Sequence, residues 1–152
     1  DVDMPKSSGK QIEQELRRIK NLHRVPNSQN VADADGLGNY LESYIQNIQS
    51  FHGNKRPYDD QYANLKTECA YKLAEVINKS ELKINCSEEQ QKRIVNEITT
   101  CLKRDRVDAD HQKIRIIPKD KMKEALNHSP DYLDFLIMGM LFHVKPTYRT
   151  IL

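Results

Sequence analysis

Apolar residues nearly encircle the stretch Tyr132 to Val144, and this constrains the fold more than any other feature of the chain. Tyr132, Leu133, Phe135, Leu136, Ile137, Met138, Met140, Leu141 and Phe142 leave little polar circumference. Such a helix belongs either at the centre of a bundle or beneath another chain. The run falls well short of the ~20 residues that a membrane span needs. Ser129-Pro130-Asp131 supplies a cap, a first-turn proline and a favourable charge, so a helix is predicted from Pro130 to Val144.

Helical spacing recurs upstream. Ser7 or Ser8 caps a first helix, Gly9 to His23, with the narrow stripe Ile12, Leu16, Ile19 and Leu22. A long connection from Val25 to Gly38 follows. Leu37, Tyr40, Leu41, Tyr44, Ile45, Ile48 and Phe51 repeat at three and four residues and predict a second helix, Leu37 to His52, ended by Gly53. Pro57 with Asp59 and Asp60 reads as the opening of a third helix that runs to Lys79. Ser87 and Gln90 form a capping-box pattern for a fourth, Glu88 to Arg104, and a fifth spans Lys119 to His128, burying Met122, Ala125 and Leu126. Lys113 to Pro118 is the one strand-like stretch, either an extended connector or one arm of a ribbon with Leu82 to Ile84.

The expected fold is therefore all-α: five or six helices packed around a buried C-terminal helix, with at most one short two-stranded ribbon. Residues 1–8 are expected to be a disordered lead-in and residues 9–152 a single domain. The chain is 152 residues long, enough for a substantial core. It opens on Asp1 rather than Met, which suggests a piece of a larger protein. The 24 Lys and Arg against 22 Asp and Glu give no overall bias toward nucleic acid or membrane surfaces. Cys69, Cys86 and Cys101 lack disulfide or zinc spacing and read as buried free thiols, which favours an intracellular location, cytoplasm or nucleus. Asn-x-Ser triplets at Asn78, Asn85 and Asn127 pull weakly the other way.

No pattern for catalysis, cofactor or metal emerges. Asp33-Ala-Asp35-Gly resembles the start of a calcium loop but puts Leu37 and Tyr44 where the loop needs oxygen ligands. Asp108-Ala-Asp110 fails as well, since Lys113 stands where the loop needs glycine. The pairs Asp59/Asp60, Glu88/Glu89 and Asp131/Asp134 all fall in expected first helical turns, where the helix dipole explains them. His143 reads as a hydrogen-bonded core or helix-end histidine. The expectation is a non-enzymatic scaffold or docking domain that binds another protein through the exposed edges of the second and last helices and loop 24–38, with Tyr40, Tyr44, Phe51, Tyr148, Ile151 and Leu152 as contact residues. The alternative is a helical nucleic-acid-binding module. Its basic face would use Arg17, Lys20 and Arg24 on the first helix, with Lys92, Arg93, Lys103 and Arg104 on the fourth. There the eleven-residue spacing of Lys92/Lys103 and Arg93/Arg104 is close to three turns.

Overall fold

A computed structural model describes residues 9–35, 41, 43–105 and 113–146. Among these residues helices dominate, accompanied by one short parallel strand pair. The chain divides between His52 and Gly53 into two compact units.

In the first unit, α1 spans Gly9–Leu22 and lays the half-buried Ile12 and Leu16 against a cluster of Leu41, Ile45 and Ile48, with Ala32 beside them. The helix ends without glycine. Arg24 adopts a left-handed backbone, φ 54°, while Val25 N–H donates to Lys20 C=O (2.9 Å) and Arg24 N–H to Asn21 C=O (3.3 Å). That pair of bonds is a Schellman closure. The connection expected from Val25 onward is partly regular: a single 3-10 turn, Asn27–Gln29, leads into β1, Val31–Asp33.

The predicted helix from Leu37 to His52 does not form at that length. Within it, Leu41 and residues 43–44 are helical, and Ile45 N–H still reaches Leu41 C=O (2.8 Å). Asn47 then turns left-handed (φ 64°), and Gln49–Phe51 become β2. This strand runs parallel to β1 in the register Val31↔Gln49, Ala32↔Ser50, Asp33↔Phe51. Asparagine tolerates the left-handed region because its side chain is short and polar, so the helix can stop there and the sheet hydrogen bonds take over. Leu41, Ile45, Ile48 and Phe51 are buried all the same. The apolar spacing marked the right residues and the wrong backbone.

In the second unit, α2 spans Leu65–Asn78 and begins later than Pro57. Asn64 is its N-cap, the side chain accepting from Thr67 N–H (2.9 Å). The segment before it is a loop held by the buried Glu68, whose carboxylate accepts from Tyr58 N–H (2.7 Å) and Asp59 N–H (3.2 Å). Loop amides, rather than a helical turn, are what Asp59 and Asp60 accompany. α3, Glu88–Cys101, starts in the expected capping box of Ser87 and Gln90.

Lys113–Pro118 is extended, but Leu82 to Ile84 are not its partners. Ile114 bridges Tyr62 on one side and Ile116 bridges Arg104 on the other. α4 (Lys119–Leu126), α5 (Asp131–Gly139) and the single turn α6 (Leu141–Val144) complete the unit. α5 packs on both α2 and α3, α4 on α3, and α6 on α2. Cys69, Leu73, Cys101, Met122, Leu133 and Ile137 form its driest interior. Ala125, expected inside, is exposed.

Candidate functional site

The C-terminal helix buries one face and leaves the other bare. Leu133, Leu136, Ile137, Met140 and Leu141 point into the core. Phe135 is 64% exposed and Phe142 39%. Met138 and Gly139 lie between them, half-buried, and a methyl group placed on Gly139 would meet nothing within 4 Å. The helix tightens where Met140 N–H bonds to Ile137 C=O (3.1 Å), which separates α5 from α6 without changing which positions face inward. The outer positions 135, 138, 139 and 142 thus make a second apolar stripe on a helix whose first stripe already fills the core.

Two carboxylates, the buried Glu97 and the half-buried Asp134, hold this helix in place. Pro130 has no side chain to cap α5, and Glu97 of α3 supplies the missing acceptor: its Oε2 accepts from Leu133 N–H at 2.9 Å. Ser129, the expected cap, does not do this. Glu97 is fully buried, and its Oε1 has Arg93 Nε at 3.4 Å, close enough for charge attraction, and His128 Nδ1 at 3.9 Å, neither hydrogen bonded to it. The Arg93 guanidinium also lies 5.1 Å from the centre of the Tyr132 ring. Asp134 ties three helices together, accepting from Lys66 of α2 (2.7 Å) and from Lys119, the first residue of α4 (2.6 Å). Burial pushes the Asp134 carboxyl up, but the hydrogen bonds from Lys119 and Lys66 outweigh it and leave the group below its ordinary range.

Beside α6, an open groove of about 710 Å³ runs along α2 and is lined by Asp59, Tyr62, Glu68, Tyr71, Glu75 and His143, among others. Hydrogen bonds from Lys72 and Lys79 hold the Glu75 carboxyl down to about 2. A carboxylate held that low is a poor general base near neutral pH. Burial pushes the Cys69 thiol up to about 12, with Glu68 adding to the effect, and burial likewise raises Cys101. Neither sulfur is poised as a nucleophile. Cys86 is half-buried rather than buried, and all three thiols are free.

Of the contact residues read from the sequence, Tyr44 is exposed, Phe51 is buried at 4%, and Tyr40, Tyr148, Ile151 and Leu152 lie outside the described residues. Phe51 ends β2 with its side chain buried, so it presents no docking surface. The basic residues fall in both units. Arg17 is engaged with Glu13 Oε1 (2.8 Å) and Tyr44 C=O (2.6 Å), Lys20 is half-buried, and Arg24 closes α1. On α3, the helix stops at Cys101, so Lys103 and Arg104 do not continue the line of Lys92 and Arg93; Arg104 instead pairs with the extended Ile116. His143 is exposed at the end of α6.

The apolar pattern singles out the 132–144 segment but not which of its sides is bare, and Tyr62, within the span expected to be the third helix, lies instead in the loop before α2. Among the described residues no helix is long and apolar enough to cross a membrane, and no three His, Cys, Asp or Glu side chains gather as a metal cluster would. No family model, no curated protein and no solved structure matches the chain.

Proposed function

We propose that the chain is a non-enzymatic docking module of an intracellular protein, and that it binds another protein through the outer face of α5 and α6. The observation that carries this reading is Phe135, 64% exposed on a helix whose opposite side is core, with Phe142 exposed seven residues on. Aromatic side chains are the commonest energetic anchors of protein interfaces, and a helical apolar stripe at this spacing suits a partner helix or groove. The flat, small Gly139 lets such a partner approach the backbone between the two rings. The buried thiols suit a reducing compartment.

The test is a Phe135→Ser, Phe142→Ser double variant compared with the wild type in extracts of the native cell. The wild type is expected to elute in a larger complex and the variant alone, with an unchanged unfolding midpoint. A variant that stays in the complex would show that another surface docks.

A further inference from the structure

The groove along α2 carries a charge arrangement that singles out one class of occupant. Tyr62 and Tyr71 stand with ring centres 5.2 Å apart, tilted by 45°, and form an aromatic corner. Three carboxylates and two ammonium groups line the groove, and both ammonium groups are spent on Glu75, which pairs with Lys72 (2.9 Å) and Lys79. Among the described residues, the other two carboxylates have only dipolar partners. Glu68 takes the Tyr58 and Asp59 amides, and Asp59 takes the Gln61 backbone (3.0 Å) and the Gln61 side-chain amide. Among the described residues no cation pairs with either of them, and both act on the Tyr62 ring. The Tyr62 phenol responds to that setting: burial first, then Asp59, Tyr71, Glu68 and Glu75, hold it above its ordinary range.

We propose that this tyrosine corner seats a cationic side chain, the guanidinium of an arginine, presented by the protein that docks on α5 and α6. The inference rests on that docking reading for the identity of the occupant. Continuity supports the link, because α6 contributes His143 and Val144 to the groove and Phe142 to the apolar face. Arginine fits better than lysine, since its planar, weakly hydrated guanidinium stacks on a ring while its N–H groups reach a carboxylate. An acidic group would meet Asp59 and Glu68 and would find both lysines already held by Glu75.

The test uses the full chain and three small probes: acetyl-arginine amide, its neutral isostere acetyl-citrulline amide, and acetyl-glutamate amide. Ring signals of Tyr62 and Tyr71 are followed by NMR as each is added. The arginine probe is expected to move both rings along a saturating curve, and the citrulline probe to bind about fivefold more weakly or worse, the scale of an exposed cation–π contact. Tyr71→Leu should weaken the arginine probe by a similar factor, and so should Asp59→Asn, a conservative change at an exposed residue whose loop is secured by Glu68. Equal binding of the citrulline probe, preference for the glutamate probe, or no response of either ring to the arginine probe would each overturn the proposal. Phe135→Ser should leave probe binding intact, so failure of the docking surface and failure of the cation corner are read separately.

Discussion

A phenyl ring kept in water at position 135 forgoes about 1.5–3 kcal/mol of burial, and nothing in the packing of α5 requires a ring there. Replacement by serine should therefore leave folding stability within about 0.5 kcal/mol, as at an ordinary surface site. Glu97 is the opposite case. Its carboxylate serves α5 from a neighbouring helix, so Glu97→Ala should cost about 2 kcal/mol through the lost cap and the space left behind, whereas Glu97→Gln keeps an acceptor for Leu133 N–H and should cost less. Urea unfolding of the two variants checks this, and an alanine variant as stable as the glutamine one would mean that the cap contributes nothing.

Asp134 adds a pH dependence. Its folded-state value lies below that of the unfolded chain, about 3.9, so its contribution is fully present above that value and is lost as the pH falls through the lower folded value. The difference in melting temperature between wild type and Asp134→Asn should be constant from neutral pH to about pH 5 and shrink below about pH 4. A gap unchanged down to pH 3 would contradict the Lys66–Asp134–Lys119 tie.

At the level of elements, helix ends separate what was legible in the sequence from what was not. The capping box at Ser87 and Gln90 is a side-chain pattern with one geometric solution, and the start of α3 was readable from it. The left-handed residues Arg24, Asn47, Ser80 and Asn127 carry no glycine to announce them. At Asn47 that silence hid the change from helix to strand, since spacings of three fit a buried helix and this turn-and-strand equally well. The start of α2 was misread because the proline and acids at 57–60 imitate a first turn, while the residue that organises them, Glu68, lies nine and ten residues beyond the amides it binds. Arg24 offers a direct check. A side chain bearing Cβ is strained at φ 54°, so Arg24→Gly should raise the stability of the first unit by roughly 0.5 kcal/mol despite glycine's greater unfolded-state entropy. Chemical denaturation followed on α1 reads this, and a destabilised variant would show that the Arg24 side chain, not its backbone, matters.

For the molecule as a whole, periodicity was enough to predict a mostly helical chain with at most one small strand pair, but not where that pair would lie, because apolar spacing marks core positions and not the backbone that carries them. The candidate surfaces were less accessible. An all-round apolar helix announces that both faces are dry or that one waits for a partner, and only the packing of α2 and α3 against Leu133, Leu136 and Ile137 decides which side is left over. The tyrosine corner was illegible for a different reason: Tyr62 belongs to a loop and Tyr71 to α2, and the extended 113–118 segment bridges the loop at Tyr62. The docking claim is tested most directly by placing a photo-activated crosslinking residue at position 135 and, in a separate protein, at the exposed Lys92, then irradiating each in the native cell. Position 135 should yield one discrete crosslinked protein that position 92 does not. Identical products from both sites, or none from position 135, would contradict the account.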